Sequence, residues 1–531
     1  MKSRSIYKTI LSGWVLVCVM MLTACTDSFE KWNIDPNAAT EEDMNHDNLN
    51  TGAYLAQMQR GVFIVGENLG GRYQETQALE GDLFASFLAT ITTWGYTTYH
   101  NDHYALYSDW YDKPFNDAYT NVMQPWKSIC EKTEEGSPAR ALATVIKVFA
   151  MHRVSDMYGP IPYKSFGTAV QVPYDSQKDV YYQFFTELDN AISILTSYAN
   201  TNSSAYMGDY DNIYSGNISK WIKFANTLRL RLAMRISNVD EAKARQEAEA
   251  AINQSYGLMA SADDDATLHQ NATLSFRHPL WEIGQSFHDE RMSATMECYL
   301  KGYNDPRIKA YFLPSEANGD YKGARNGMNR PNKDNYKDIT SAPNFSQGSD
   351  MQWMHAAEAY FLLAEAKLRW GLGELSAQEC YETGIATSFA SAGANGASSY
   401  ISNNTSLPQE TFMDAYSRST TSVASMLSNL TVAWDESASN EVKMERIMIQ
   451  KWIALYPDGQ EAWSEMRRTG YPGWVRIQSM QTTEVTQNEM ISRLKFPTTE
   501  YSNNSDNTKA GVTLLGGDDK AGTRLWWDVK R

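Results

Sequence analysis

The chain has 531 residues and a formal net charge of −16, with 63 acidic against 47 basic side chains. This balance argues against nucleic acids and other polyanions as partners, because those ligands need basic patches. The length exceeds what one hydrophobic core usually serves, so we expect several sub-cores or a repeated architecture.

The first 24 residues have the layout of a secretory signal: three basic residues, then the apolar stretch 10–22, then small residues. That stretch is shorter than the roughly 20 apolar residues that a membrane span requires. Residues 22–25, LTAC, resemble a bacterial lipobox, in which the cysteine is diacylated and the chain is cut just before it. We therefore expect a signal peptide over 1–24, a lipid anchor on Cys25 and a flexible tether over 25–40.

Three further cysteines, Cys130, Cys298 and Cys380, lie far apart and form no CxxC motif. Neither a disulfide framework nor a zinc ribbon is indicated. We expect these side chains to act as small hydrophobic groups, mostly buried.

Apolar residues of helical period alternate with polar connectors along the chain, with few convincing strands. Helices are predicted over 139–154, 179–199 and 219–237, the last with Ser219 as its N-cap. One stripe of this last helix is apolar: Trp221, Phe224, Ala225, Leu228, Leu232 and Ile236. Its basic residues are predicted largely on other faces: Lys220, Lys223, Arg229 and Arg231.

Two helical pairs are predicted nearer the C-terminus, over 354–390 and 440–472. Glycines break the first pair, and Pro457 ends the first helix of the second pair. Asp458 with Glu461 then predicts a capping box at the next helix start. Such pairs have the length of tetratricopeptide hairpins, about 34 residues.

The predicted fold is therefore mainly all-α, one domain over 41–531 built on tetratricopeptide-like hairpins. Long irregular insertions interrupt the helices, and such loops tend to carry function. They are predicted at 94–115, 200–217, 258–350 and 391–440.

Seven segments in order resemble the SusD-like (SusD/RagB) family of nutrient-binding outer-membrane lipoproteins. They are the lipobox with FEKWNIDPN behind it, SDMYGPIPY (155–163), WIKFANTLRLRLAMRIS (221–237), NDPRI (304–308), AEAYFLLAEAKLRWG (357–371), IMIQKWIALYPDGQEAWSEMRRTGYP (447–472), and the C-terminal stretch 493–528. The resemblance implies a helical scaffold that supports a variable, loop-rich face.

The resemblance also implies a role in nutrient uptake and polysaccharide utilisation in a Gram-negative cell. Such proteins lie on the outer face of the outer membrane, over a TonB-dependent (SusC-like) transporter, and help to capture oligosaccharides. In this chain Cys25 would be the membrane anchor, and Asp27 and Glu30 suit the acidic signals for surface exposure. We expect no nucleic acid partner and no cofactor.

The segment 94–111, WGYTTYHNDHYALYSDWY, is the best candidate for ligand binding. Seven of its eighteen positions are aromatic, against 12% of the whole chain. A sugar ring needs a flat aromatic surface for its C–H face and polar groups for its hydroxyls. The candidate contacts are Trp94, Tyr96, Tyr99, Asn101, Asp102, Tyr104 and Tyr107. Alternatively, aromatics such as Trp94, Tyr107 and Trp110 simply anchor the loop.

A second candidate group comprises Asp289, Arg291 and Arg330, in the long insertion. Arginine could give a planar, bidentate grip on a carboxylate or a pair of hydroxyls. A solvated helix end explains these residues equally well.

No metal site is predicted. His100 and His103 with Asp102 offer too few converging ligands. The acidic run 263–265 lacks the spacing of a calcium loop, so a surface turn or a helix N-terminus is favoured. The tryptophan pair at 526–527 is predicted to pack the C-terminal tail onto the body.

Three functions are compatible with the sequence. The favoured one is a non-catalytic glycan-binding lipoprotein, because the family resemblance covers almost the whole chain. The absence of HExxH, GxSxG, Walker and GxGxxG motifs also lowers the support for common motif-bearing enzymes. A surface-attached α-helical glycoside hydrolase is the second, since its two carboxylates need no sequence motif. The third is a peptide-binding scaffold that uses the helical pairs at 354–390 and 440–472.

Overall fold

The computed structural model describes residues 48–94, 101–329, 332–486 and 488–530. The chain divides into residues Met1–Asn50, of which only 48–50 are described, and one compact unit over Thr51–Arg531. The longer helices are α1 Leu49–Gly61, α2 Gln124–Lys132, α3 Pro138–Tyr158, α4 Gln177–Ala199, α5 Ile218–Arg235, α6 Glu241–Ile252, α7 Ala294–Gly302, α8 Ala357–Trp370, α9 Ala377–Ser391, α10 Asn440–Leu455, α11 Gly459–Thr469 and α12 Ser505–Leu515.

Shorter elements fill the connections. Short α-helical turns are Gly70–Tyr73, Ser108–Tyr111, Lys113–Ala118, Pro279–Trp281, Ile308–Tyr311, Lys333–Tyr336, Ala397–Ile401 and Thr498–Asn503. Wider π-helical turns occur at Gln74–Asp82, Tyr119–Met123 and Glu282–Ser286, and 3₁₀ turns at Asn101–His103 and Ala262–Asp264. The segment 258–350, expected to be irregular, thus contains a regular helix, α7.

The strands of the described residues form three small antiparallel ribbons. They are β1 Leu88–Thr90, β2 Ala266–Leu268, β3 Glu290–Met292, β4 Met351–Met354, β5 Thr411–Met413 and β6 Thr420–Ser422. β1 pairs with β3, β2 with β4, and β5 with β6. This arrangement agrees with the predicted scarcity of strands, and the mainly α-helical fold class is confirmed.

Consecutive helices pack as hairpins: α3 with α4, α5 with α6, α8 with α9, and α10 with α11. The hairpins also contact one another, since α4 packs on α5, α5 on α8, and α8 on α10. The helical pairs predicted near 354–390 and 440–472 are confirmed, and so are the helices near 139–154, 179–199 and 219–237.

Two predicted helix caps are wrong in detail. The N-cap of α5 is Asn217, which accepts the backbone N–H of Lys220, and Ser219 lies inside the helix. Asp458 does cap α11 by accepting the backbone N–H of Glu461. The Glu461 side chain does not complete a capping box, because it pairs with Arg235 at 2.5 Å.

A buried ionic core joins α5 to the neighbouring helices. Arg229 and Arg231, predicted largely away from the apolar stripe of α5, are only 8% and 1% exposed. Arg231 forms a bidentate pair with Glu358 of α8. Arg235 pairs with Glu461 and Glu465 of α11 at 2.5 and 2.6 Å. The helix is therefore buried on nearly every side, and its cations are neutralised by carboxylates from other helices.

The C-terminal segment is fixed to this core, as predicted. The Trp527 side chain is fully buried, and its indole N–H donates to the Asp156 carboxylate at 2.8 Å. The guanidinium of Arg467 lies 4.9 Å from the Trp527 ring centroid. Trp526 is half-buried and packs near Tyr181. Both tryptophans thus pack the tail onto the helical body.

Within the described residues, no helix is both long enough and apolar enough to cross a membrane. The predicted signal peptide, lipid anchor and tether, residues 1–40, lie outside the described residues.

Candidate functional site

The β1–β3 ribbon brings two predicted site segments together. Thr90 is paired with Glu290, and the backbone N–H of Ile91 continues the pairing by donating to the carbonyl of Asp289 at 2.9 Å. The two chains run antiparallel, so the loop leaving β1 toward Trp94 runs beside the turn that enters β3. Residues 197 positions apart in sequence thus become neighbours, as the 2.5 Å bond from the Thr92 hydroxyl to Asp289 shows.

Trp94, Tyr107 and Trp110 pack together, and we call this group and its surroundings the Trp94 face. The half-buried Trp94 ring contacts the edge of the Trp110 ring, with 5.4 Å between centroids and an interplanar angle of 76°. Tyr107 packs on the same Trp110, also at 5.4 Å. Trp110 is only 6% exposed, so it anchors the other two rings. Trp94 and Tyr107 keep part of their ring surface open while Trp110 fixes their orientation.

Three other predicted residues, in the described part of the segment 94–111, are buried and bind the protein itself. The Asn101 amide donates to the Leu79 carbonyl at 2.9 Å and accepts the backbone N–H of Tyr107. Asp102 is 4% exposed, with its carboxylate 3.1 Å from the His103 ring. Tyr104 is 4% exposed and adopts a left-handed backbone conformation, with φ of 60°. These contacts fix the described backbone from Asn101 to Tyr107.

Asp289 connects the Trp94 loop to the neighbouring insertion. Its carboxylate accepts bonds from the Thr92 hydroxyl, the Gln74 amide and the Lys333 ammonium group. Lys333 also donates to the Phe287 carbonyl at 2.9 Å. Asp289 is 6% exposed, so its role is to hold these neighbouring segments in place.

Arg291 binds backbone carbonyls. Its guanidinium donates to Gly284 at 2.6 Å and to Lys337 at 3.0 Å, and it is 2% exposed. Burial lowers the pKa of Arg291 to about 10, so the side chain remains charged at neutral pH. Arg291 thereby links the turn before β3, through Gly284, to the segment that contains Lys337.

Buried carboxyl groups underlie the same face. Glu80 and Glu290 are fully buried, and burial raises the pKa of each well above its usual value. Burial therefore shifts each carboxyl toward its protonated form. Neither carboxyl reaches the protein surface.

Four predicted residues, Cys25, Tyr96, Tyr99 and Arg330, lie outside the described residues. The structure adds one aromatic that the sequence reasoning did not single out: Phe287, 37% exposed in the turn before β3. Phe287 lies four residues before the predicted Arg291, which could have drawn attention to it. A single phenylalanine in a long insertion, however, does not show whether its side chain is buried or exposed.

The ligand atoms of His152, Asp156 and Glu461 lie within 4.8 Å of one another and resemble a metal cluster. Arg235 fills the role of the cation there, because its guanidinium pairs with both carboxylates. The cluster therefore belongs to the ionic core, and its geometry does not favour a metal ion.

Asp264 and Asp265, from the acidic run, also bind the protein. Asp264 pairs with Lys223 at 3.1 Å. Asp265 accepts the backbone N–H of Ala356 at 2.7 Å, just before α8 begins. The predicted turn is present as the 3₁₀ turn Ala262–Asp264, but Asp264 is buried, only 5% exposed, and does not lie on the surface.

The arrangement defines a class of protein. A scaffold of helical hairpins supports loops whose aromatic side chains pack on one another next to polar side chains. A sequence model of the SusD-like family, described as SusD and RagB outer membrane lipoproteins, matches residues 31–528. The chain therefore belongs to the SusD-like family, and the resemblance seen in the sequence is confirmed.

Solved structures give the same answer. A chitin-binding SusD homologue from Flavobacterium johnsoniae has 38% sequence identity and a TM-score of 0.85, over 91% of this chain and 99% of that one. SusD homologues from Bacteroides thetaiotaomicron and Bacteroides uniformis have 33% and 35% identity and TM-scores of 0.83 and 0.81, with the same coverage. No protein with curated annotation matches this chain significantly.

Proposed function

We propose that this protein is a non-catalytic receptor, anchored by lipid to the outer membrane, which captures oligosaccharides and delivers them to a TonB-dependent, SusC-like transporter. The observation that carries the proposal is the half-buried Trp94 ring, which packs on Trp110 near the Thr92–Asp289 hydrogen bond. A sugar ring can stack its C–H face on such an indole while neighbouring polar groups bind its hydroxyls.

Within the predicted site, we propose that Trp94 and Tyr107 contact the ligand directly, together with Tyr96, Tyr99 and Arg330. Asn101, Asp102, Tyr104, Asp289 and Arg291 then serve mainly to position those contacts, because each is buried and bonded within the protein. Such preorganisation lowers the entropy lost when a ligand binds.

The F. johnsoniae homologue suggests which ligand to test first. That protein is described as chitin-binding. We propose oligosaccharides of N-acetylglucosamine as the first candidates for this chain.

The hydrolase alternative is less well supported. A glycosidase needs two carboxyl groups on either side of the scissile bond, one of them with a raised pKa. Glu80 and Glu290, two carboxyl groups near the Trp94 face whose pKa values burial raises strongly, are both fully buried. A substrate bound at the Trp94 face would not reach them.

The peptide-scaffold alternative is also less well supported. Every residue of α11 is buried, and most of α10 is buried as well. A peptide would need an open helical groove, whereas these helices pack against α8 and the Gln74–Asp82 turn.

The test combines binding with product analysis. The mature chain, residues 25–531 with Cys25→Ser to prevent lipidation, is titrated by calorimetry with hexasaccharides of N-acetylglucosamine, glucose, mannose and xylose. Each sample is then examined by mass spectrometry. Saturable binding with intact sugar is expected. Cleaved sugar would contradict the non-catalytic role, and no binding by any hexasaccharide would contradict glycan capture.

The anchoring part of the proposal has its own test. In cells, Cys25→Ala should release the protein from the outer-membrane fraction, while a Cys130→Ala control should leave it there. External protease should degrade the wild-type protein on intact cells if it faces outward. Retention of the Cys25→Ala variant in the membrane fraction would contradict lipid anchoring.

A further inference from the structure

A concave site lies against the β5–β6 hairpin, and its lining includes none of Trp94, Tyr107 and Trp110. Its cavity volume is about 290 Å³. Amide side chains line one part, from Asn329, Asn332 and Asn335, and hydroxyl groups line another, from Ser417, Ser419 and Thr421. The volume is close to the lower end of the range for small-molecule sites, about 300–1,000 Å³, which suits a short segment of a ligand.

Two tyrosines give this site an aromatic surface. Tyr416 stands at the hairpin tip with 56% of its surface exposed. Tyr336 is 8% exposed, and its ring centroid is 5.8 Å from that of Tyr416. Phe412 and Met328, both buried, lie beneath them. The pocket thus has an apolar floor and one open aromatic wall.

The hairpin tip is held in place by its own hydrogen bonds. The Asp414 carboxylate accepts the backbone N–H groups of Tyr416 and Ser417 at 3.1 and 2.7 Å. The backbone N–H of Asp414 donates to the Ser419 carbonyl at 2.9 Å. The Tyr336 hydroxyl bonds to Asp414 at 3.1 Å, which joins the tip to the opposite wall. Tyr416 is therefore presented on an ordered turn, so little entropy is lost on binding.

Among the described residues that line the pocket, the charged side chains are already bound within the protein. Asp414 accepts the bonds just described, and the Arg325 guanidinium donates to the Arg476 carbonyl at 2.7 Å. The other polar side chains of the described lining are neutral amides and hydroxyls. A ligand rich in hydroxyl groups and without net charge matches this chemistry, since each amide offers both a donor and an acceptor.

We infer that the pocket formed by Tyr336, Tyr416 and the Asn-rich wall is a second carbohydrate subsite, which binds a short uncharged segment of an oligosaccharide by stacking on Tyr416. This inference rests on the proposed function and extends it, because it assigns ligand contacts to a hairpin outside the Trp94 face.

The experiment compares Tyr416→Ala, Tyr416→Phe and Trp94→Ala in the same mature chain, with the neutral hexasaccharides named above. Leu514→Ala is the matched control, because Leu514 is 47% exposed but lies on α12, away from the pocket lining. Affinity is measured by calorimetry. Protection of the backbone is measured by hydrogen exchange and mass spectrometry over residues 411–422 and 88–94.

The inference predicts that Tyr416→Ala weakens binding about 10-fold, as expected for loss of one aromatic stack. Tyr416→Phe and Leu514→Ala should remain within about twofold of wild type, and sugar should protect 411–422. If these results occur while Trp94→Ala binds with wild-type affinity, they support the hairpin subsite and contradict the assignment of the Trp94 face as a glycan site.

Wild-type affinity in Tyr416→Ala, with no protection of 411–422, would overturn the subsite and leave the Trp94 face intact. Protection of the hairpin without any loss of affinity in Tyr416→Ala would also overturn it, because stacking on Tyr416 would then contribute nothing. If no hexasaccharide binds the wild-type chain, both the subsite and the proposed function fail.

Discussion

Replacing Arg468 by Met tests the buried ionic core. The Arg468 side chain is fully buried, and it donates to Glu365 at 2.7 and 2.6 Å and to Glu465 at 2.8 and 2.7 Å. Methionine keeps much of the side-chain length but leaves both carboxylates without this cation. Loss of one partner of a buried ion pair costs about 3–5 kcal/mol. That is a large part of a typical unfolding free energy of about 5–15 kcal/mol.

The effect should depend on pH. Burial raises the pKa of Glu365, but Arg468 and Arg369 outweigh it and hold the pKa at about 2. An unfolded glutamate has a pKa of about 4.3. The folded-state pKa is thus depressed, so its stabilisation is fully present above pH 4.3 and is lost as the pH falls toward 2. The difference in unfolding free energy between the wild type and Arg468→Met should therefore be largest at neutral pH. It should become smaller as the pH falls from about 4.3 toward 2.

Urea denaturation at pH 7 and pH 3.5 measures this difference. Arg245→Met is the matched control, because Arg245 is half exposed and pairs with Glu249 on the surface of α6 at 3.1 Å. Such a helical surface pair contributes about 0.3–0.5 kcal/mol. Equal losses in the two variants at pH 7 would refute the view that the ionic core stabilises the fold.

Two further predictions concern buried side chains. The His278 ring stacks on the Phe345 ring, with 4.1 Å between the ring centroids. Burial lowers the pKa of His278 to about 3, whereas an unfolded histidine has a pKa of about 6.5. The wild-type protein should therefore lose stability as the pH falls from about 6.5 toward 3. In thermal denaturation, the His278→Phe variant should lose less stability between pH 7 and pH 5 than the wild type does. An equal loss in the two proteins would contradict the lowered pKa of His278. Burial raises the pKa of Cys298 to about 12 and that of Cys380 to about 11, whereas Cys130 is only half-buried. Iodoacetamide should therefore modify Cys130 first in the native protein, as read by mass spectrometry, and uniform labelling would contradict the burial.

The sequence predicted the helical hairpins well, because each helix carries a local signal. The apolar stripe of α5 and the breaks after α8 and α10 are visible in single segments of the chain. The burial of Arg229 and Arg231 was not predictable in this way, since their partners come from other helices. A basic residue on one helix looks the same whether water or a distant carboxylate neutralises it.

The candidate site was predictable only in part. The aromatic density of 94–111 singled out this segment as the candidate, yet it could not distinguish the half-buried Trp94 from the buried Tyr104. Asp289 reaches the Trp94 loop only through the β1–β3 pairing, which two three-residue strands did not reveal. Tyr416 lies in a short polar hairpin with no compositional bias, so its pocket became visible only in three dimensions.

Calorimetry on Trp94→Ala tests the central claim, glycan capture at the braced indole, most directly. The control is Trp370→Ala, because Trp370 is also half-buried but lies at the end of α8, where it bonds to Glu241 at 3.0 Å. With the hexasaccharide that binds best, Trp94→Ala should weaken binding at least about 10-fold, as expected for loss of an aromatic stack, and Trp370→Ala should bind as wild type. Equal affinity of the two variants and the wild type would contradict the assignment of this face as the glycan site.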